Sequence, residues 1–300
     1  MGFQELSEYV KKAEVLIEAL PYIKAFHQKT IVIKYGGNAM IEDDLKKAVV
    51  TDVVLMKYVG MNPVLVHGGG PEITTFMERV GKKPEFVDGL RISDKETVEL
   101  AEMVLAGKLN KEIVSLINRS GGRAVGICGK DAGLIIAKKK LHKSETINGA
   151  TVKDLGFVGE IEKVNTEIIE TLIRGGYIPV VAPTGVGEEG ESYNINADTA
   201  AGELAAALKA DKLVLLTDVE GIFRDPTSRT ELISTLKSSE VRAMIRDGNI
   251  EGGMIPKVQA CIRALEGNVT KAHIIDGRIP HSLLLEIFTD RGVGTEVVMG

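Results

Sequence analysis

The chain carries only two cysteines, Cys128 and Cys261, both in apolar settings. Two thiols with no metal-ligand spacing build neither a disulfide framework nor a zinc site, so buried free cysteines in a reducing cytoplasm are expected. Positive charge is in short supply as well: 37 Lys and Arg stand against 42 Asp and Glu, a formal net charge of −5. A nucleic-acid surface needs clustered Lys and Arg. The longest basic run, Lys138-Lys139-Lys140, reads as a solvated strand end. No uninterrupted apolar run reaches the length of a membrane span, and no signal-peptide pattern opens the chain. These absences point to a cytoplasmic protein with neither nucleic acid nor membrane as partner. Internal repeats and low-complexity tracts are also missing.

The common nucleotide devices are absent too. A P-loop needs a glycine five residues before Gly-Lys, and the pairs at 81–82, 107–108 and 129–130 have Phe76, Glu102 and Ala124 there. The spaced glycines of a dinucleotide site fail at Gly36-Gly37-Asn38 and at Gly68-Gly69-Gly70-Pro71, which disfavours a Rossmann-type oxidoreductase. No protein-kinase signature and no nucleophile elbow occurs.

What the chain does have is alternation. With 300 residues, 44% of them hydrophobic, it can bury a large core as one α/β domain or two intimate lobes. Strands are predicted at 30–35, 63–67, 123–127, 178–182, 212–217 and 271–276. Helices are predicted at 42–59, 71–80, 94–119, 166–174, 197–209 and 254–266. Such alternation implies a largely parallel sheet with helices on both faces. Residues 84–92 and 133–163, the latter with turn signals at Asn148-Gly149, Gly156 and Gly159, read as hairpins beside it. Gly185-Val186-Gly187-Glu188-Glu189-Gly190 is the most linker-like stretch and reads as a mobile loop.

Ahead of the first strand, Phe3, Leu6, Val10, Ala13, Ile17 and Leu20 form one apolar stripe on a helix that Pro21 is expected to interrupt. A second short helical piece is expected through Tyr22, Ile23 and Phe26. The helix either packs on its own subunit or docks on another.

Polar constellations gather at the strand ends. Ile31 to Gly37 and Pro63 to Gly70 are two apolar strands that stop in glycines, one of them carrying Lys34. Glycine lets backbone N–H groups approach an oxyanion with no Cβ in the way. Asn194 and Asn196 stand in a strand-like stretch where asparagine is depleted, and Asp198 fits the N-cap of the following helix. The polar turn Thr217-Asp218-Val219-Glu220-Gly221 follows a buried strand. Gly252-Gly253-Met254-Ile255-Pro256-Lys257 opens another helix, and Arg91 in a hairpin offers a fork for a carboxylate.

In this order the segments Lys34-Tyr35-Gly36-Gly37, His67-Gly68-Gly69-Gly70, Gly89-Leu90-Arg91, Asn194-Ile195-Asn196-Ala197-Asp198, Thr217-Asp218-Val219-Glu220-Gly221 and Gly253-Met254-Ile255-Pro256-Lys257 resemble the amino acid kinase family. The likeness covers about residue 28 to the C-terminus. Aspartokinases add regulatory domains absent here, uridylate kinases have serine in the first glycine loop, and glutamate 5-kinases commonly add a C-terminal domain. The resemblance implies a three-layer αβα sandwich with a mainly parallel central sheet of about eight strands. It divides the chain into an oligomerisation and regulatory helix (1–28), an amino-acid lobe (29–182) and a nucleotide lobe (183–300).

The implied reaction is ATP-dependent phosphorylation of the side-chain carboxylate of N-acetyl-L-glutamate, the second step of arginine biosynthesis by the acetylated route. Lys34 and Lys257 would meet the transferring phosphoryl from opposite lobes, with Asp198 holding both. Mg²⁺ would ride on the ATP phosphates, with no metal ligands from protein side chains. Gly36, Gly37, Gly69 and Gly70 would offer N–H groups, Arg91 would clamp the α-carboxylate, and Asn194 and Asn196 would line the substrate. Thr217, Asp218, Gly221 and Phe223 would lie by the nucleotide with Lys257. The leading helix resembles that of arginine-inhibited hexamers, trimers of dimers, and Lys212, His273, Glu286, Gly292 and Gly294 would form the arginine site. Some relatives bind a PII-type signalling protein, which stays open here. So do two rivals: a relative acting on another carboxylate, such as carrier-linked aminoadipate, and a non-catalytic nucleotide-responsive scaffold.

Overall fold

The computed structural model describes residues 3–87, 89–146, 149–225, 230–289 and 292–300. A long helix α1 (Phe3–Phe26) leads into β1 (Thr30–Tyr35), α2 (Asp43–Tyr58), β2 (Asn62–His67) and α3 (Gly70–Arg79). A short hairpin, β3 (Phe86–Val87) and β4 (Leu90–Arg91), precedes α4 (Lys95–Glu102), a π-helical segment (Met103–Leu109) and α5 (Asn110–Arg119). Then come β5 (Ala124–Cys128), the long strands β6 (Ile135–Thr146) and β7 (Gly149–Val164), α6 (Glu167–Arg174), β8 (Ile178–Ala182), β9 (Thr184–Val186) and β10 (Ser192–Asn194). The last third holds α7 (Ala197–Ala207), β11 (Lys212–Thr217), β12 (Phe223–Asp225), β13 (Thr230–Leu232), β14 (Thr235–Lys237) and α8 (Ser238–Arg246). It ends in α9 (Met254–Glu266), β15 (Lys271–Asp276), α10 (Ser282–Phe288) and β16 (Thr295–Val298).

Eight strands form the central sheet in the order β14-β16-β15-β11-β1-β2-β8-β5. The six from β15 to β5 run parallel, while β16 pairs antiparallel with β15 and carries β14 with it. The parallel strands are apolar through most of their length because helices cover both faces. Successive side chains alternate between those faces. Val32, Val64, Leu213 and Leu215 enter one core with Ala201 and Leu204 of α7 and Val258 of α9. Ile31, Ile33, Leu65 and Val214 enter the other with Val53 of α2, Ile113 of α5 and Leu283 of α10. This is the three-layer sandwich expected. The alanines of α7 follow from its tight crossing with α9: a Cβ on Gly202 would lie 2.8 Å from the Ala260 carbonyl oxygen.

Three local expectations are corrected. First, α1 runs unbroken through Pro21. A proline ring deprives the carbonyl four residues back of its partner, and here that residue, Ile17, is exposed, so water can serve it. Second, the stretch 185–190 is no linker: Thr184–Val186 is a strand paired with Ser192–Asn194, and Gly187 closes the turn by donating to the Glu191 carbonyl. Third, Lys138 and Lys139 lie within β6, paired with Glu162 and Asp154, and not at a strand end. The β6–β7 hairpin is as expected, although Asn148 of its turn lies outside the described residues. Together with β9 and β10 this hairpin closes a small four-stranded ring that delivers Asn194 to the site.

Among the described residues, the apolar stripe of α1 is exposed to solvent. Val10, Ile17 and Leu20 are exposed, and Leu16 beside them is 74% exposed; the side chains of Phe3 and Leu6 lie outside the described residues. Among the described residues it is the C-terminal turns that touch the core, through Tyr22, whose ring meets Phe288 edge-on, and Phe26.

Candidate active site

The site lies at the carboxyl ends of the parallel strands, where open α/β sheets place their ligands. Lys34 is the penultimate residue of β1, in register with Val66 of β2 and Leu215 of β11. Its ammonium comes 3.1 Å from Asp198 Oδ1, and Lys257 Nζ, from the first turn of α9, donates to Asp198 Oδ2 at 3.0 Å. One carboxylate therefore draws together two lysines from opposite ends of the fold.

Asp198 is free to do so because it is not the N-cap. That place belongs to Asn196, whose Oδ1 accepts from the N–H groups of Asp198 (2.9 Å) and Thr199 (3.0 Å). An uncharged amide satisfies the helix start as well as a carboxylate would. The expected cap is thus corrected: Asn196 caps, and Asp198 sits two residues further in with its charge available.

Burial pulls the Lys34 ammonium below the ordinary lysine range, Lys257 adds to that pull, and Asp198 opposes it. For Asp198 itself burial pushes upward, yet the two lysines together outweigh it and hold the carboxyl below its ordinary range. Two ammonium groups on one carboxylate leave positive charge over, which suits a transferring phosphoryl group.

The two glycine loops line a common cavity of about 250 Å³ with Lys34, Arg91, Asn194, Asn196 and Asp198. Each glycine has its own reason. A Cβ on Gly36 would sit 2.7 Å from Lys34 Nζ, and one on Gly69 would sit 2.7 Å from Leu105 of the π segment. Gly37 has φ +70° and lies against the Asp218 carboxylate, while Gly70 faces open space. Gly36→Ala should therefore push the Lys34 ammonium off Asp198 without disturbing the backbone. A drop in kcat of about 10- to 100-fold is expected, and unchanged turnover would remove the need for that glycine.

Arg91 is 7% exposed, and no carboxylate pairs with it among the described residues. Its guanidinium donates to the Gly70 carbonyl (2.9 Å) and Thr74 Oγ1 (2.8 Å) and stacks 4.7 Å from the Phe86 ring centroid. A buried, unneutralised guanidinium in a cavity wall is a device for an anionic ligand. Asn194 is its neighbour in the wall, reaching Ser93 Oγ at 3.5 Å.

Thr217, which ends β11, Asp218 and Gly221 of the loop after it, and Phe223, which follows that loop, do not line this cavity. Thr217 Oγ1 turns the loop by accepting from the Val219 N–H at 3.1 Å. Asp218 reaches Gly37 and its charge acts on Lys34. Gly221, at φ +148°, packs against Thr295, and Phe223 begins a short edge strand. Among the described residues no three acidic, histidine or cysteine side chains converge to hold a metal.

A second cavity of about 800 Å³ gathers Lys212, His273, Glu286, Gly292 and Gly294, with Tyr22 and Phe26 of α1 in its wall. Glu286 Oε1 is 3.1 Å from Lys212 Nζ and 2.7 Å from His273 Nδ1, and Oε2 accepts from the Val293 N–H at 3.2 Å. Burial pushes the Glu286 carboxyl up, but His273 and Lys212 prevail and hold it below its usual range.

Sequence reasoning named His67 only as part of its glycine motif and missed its buried pairing with Asn110 behind the second glycine loop, and the π segment between α4 and α5. For Asn110 the available signal was an asparagine inside an otherwise amphipathic helical pattern.

A family model described as the amino acid kinase family matches residues 29–276. An acetylglutamate kinase of Pelotomaculum thermopropionicum is 64% identical over 288 residues, 96% of this chain and 98% of that one. One of Methanocaldococcus jannaschii is 56% identical over 294 residues, 98% of each. Among solved structures, an N-acetylglutamate synthase from Neisseria gonorrhoeae complexed with coenzyme A and N-acetyl-glutamate superposes with a TM-score of 0.81 at 26% identity. That match covers 96% of this chain and 63% of the synthase.

Proposed function

The chain belongs to the amino acid kinase family, and we infer that the cradle between Lys34 and Lys257 is where it transfers a phosphoryl group. The reaction is ATP-dependent phosphorylation of the side-chain carboxylate of N-acetyl-L-glutamate to its acyl phosphate, a step of arginine biosynthesis. The observation that carries the reading to this site is Arg91, a buried guanidinium with no carboxylate partner among the described residues, in the wall shared by both glycine loops.

The amino-acid lobe (29–182) and the nucleotide lobe (183–300) meet at Asp198. Arg91 takes the α-carboxylate of the substrate and Asn194 its acetylamino group. The side-chain carboxylate is already ionised, so no general base is required. Its oxygen attacks the γ-phosphorus of ATP while the bond to the bridging oxygen breaks and the electron pair leaves with ADP. Charge spreads over the equatorial oxygens in this transfer. Lys34 and Lys257 neutralise it, and N–H groups of Gly36, Gly37, Gly69 and Gly70 cradle it. The nucleotide lies along Thr217, Asp218, Gly221 and Phe223. Bound with ATP, Mg²⁺ would lower the charge of its phosphates. The test is a coupled ADP assay with N-acetylglutamate, glutamate, aspartate and carrier-linked aminoadipate. ADP release strongest with N-acetylglutamate is expected, and none with any acceptor would leave the scaffold reading.

Two finer features complete the proposal. Arginine inhibits through the second cavity, and the exposed stripe of α1 joins dimers into a hexamer. Support comes from the packing of Tyr22 and Phe26, which place the root of α1 in the wall of the cavity that holds Glu286. Removing residues 1–27 should yield a dimer with an altered arginine response, as read by light scattering and inhibition curves. A hexamer of unchanged mass would sink the role of the helix. A PII-type signalling protein is a further candidate partner, testable by pull-down.

A further inference from the structure

Behind the glycine loop that ends β2 lies a histidine that the phosphoryl chemistry does not use. His67 is fully buried, and the cavity wall does not include it. Burial pushes its pKa down to about 4, so the ring is neutral at neutral pH. Its Nδ1 lies 2.8 Å from the Gly68 carbonyl oxygen. A carbonyl only accepts, so Nδ1 carries the proton and Nε2 is left with a lone pair.

The partner of Nε2 is Asn110, also fully buried. Its Nδ2 stands 3.3 Å from Nε2 and donates to the Val180 carbonyl at 2.9 Å, with the Ile127 carbonyl at 3.3 Å. Its Oδ1 accepts from Lys111 Nζ at 3.0 Å. Acceptors on one end and an ammonium on the other settle which way the amide faces, and with it the tautomer of the imidazole. Room for this amide exists because β5 has glycine at 126, where a Cβ would overlap Asn110 Oδ1. Asn110 follows directly on the π segment, whose Leu105 and Leu109 lie against Gly69. Amide and leucines thus approach the same loop from one rigid stretch, and π segments recur at functional sites.

The consequence for the loop follows from peptide geometry. The Gly68 N–H donates to the Tyr35 carbonyl at 2.8 Å, and the Gly68 carbonyl accepts from His67. Both polar groups of Gly68 are taken. In a trans peptide the carbonyl of one residue and the N–H of the next point in opposite directions. Holding the Gly68 carbonyl on the buried ring therefore turns the Gly69 N–H away from it, on the side of the cavity that Gly69 lines.

We propose that His67, locked by Asn110 as the neutral Nδ1–H tautomer, is a positioning residue that aims the Gly69 N–H at the reacting phosphoryl oxygens. The proposal rests on the kinase reading above, which turnover by the unmodified chain tests separately. Leucine and asparagine have nearly the same shape, and only asparagine keeps a donor near the place of Nδ1. His67→Leu should lower kcat by roughly 10- to 100-fold, as small misplacements of catalytic groups do, with KM for N-acetylglutamate little changed. His67→Asn should recover most of the loss although it leaves the same void. Equal kcat in the two variants would overturn the proposal. A second readout needs no variant: ¹⁵N chemical shifts of the unmodified protein should show a protonated Nδ1 and a lone-pair Nε2, constant between pH 5 and 8. A proton on Nε2, or a titration near pH 6.5, would overturn it as well.

Discussion

Lys257→Ala is expected to lower kcat by about three orders of magnitude while the protein stays folded. The ammonium sits on the first turn of α9 and meets Asp198 Oδ2 at 3.0 Å, opposite Lys34. Its side chain is partly exposed, so truncation opens no sealed cavity. What disappears is one of the two fixed cations over the transferring group. Comparable losses of transition-state charge stabilisation cost about 10²- to 10³-fold for a neutral donor and 10³- to 10⁵-fold for a cation at a phosphoryl. Circular dichroism should be unchanged, and KM for N-acetylglutamate, held by Arg91, should move far less than kcat. Turnover within tenfold of the unmodified chain would remove Lys257 from the chemistry.

Asp198→Asn should be more damaging, because it acts on stability and activity together. The side chain is 4% exposed and is the counter-ion of two lysines. Neutralising it leaves two ammonium groups facing each other, one of them in a buried site. Breaking a buried ion pair from one side costs roughly 3–5 kcal/mol. Lys34, already pulled below the ordinary lysine range by burial, loses the influence that opposed that pull and tends to deprotonate.

The pH dependence follows from the sign. The Asp198 carboxyl is held below its ordinary value of 3.8. Its contribution to stability is then fully present above about pH 4 and is lost as pH falls through the folded-state pKa. Denaturant unfolding should show a gap between the two proteins at pH 7 that narrows below about pH 4. A gap independent of pH would mean that the charge is not the cause.

The sheet was legible because parallel strands covered on both faces must be apolar throughout, as in Ile31-Val32-Ile33 and Leu213-Val214-Leu215. The cradle was legible because lysine and glycine at strand ends are costly without a use. What escaped depends on the third dimension. Pro21 looked like a helix end, but a helix whose outer carbonyls face water tolerates it. Asp198 and Asn196 compete for one cap, and only the fold shows that the amide takes it. The glycines at 185 and 187 signalled a linker because composition cannot distinguish a tight hairpin from a loose loop. His67 and Asn110 are 43 residues apart, joined only because β5 carries a glycine where the amide passes.

Carboxyl phosphorylation in this cradle leaves a chemical signature, since hydroxylamine converts an acyl phosphate into a stable hydroxamate. The decisive measurement is hydroxamate formed per ADP released by the unmodified chain with ATP and N-acetylglutamate, beside Lys257→Ala. One hydroxamate per ADP in the unmodified chain, and loss of both together in the variant, is the expected result. ADP released without hydroxamate, or hydroxamate at full rate without Lys257, would contradict it.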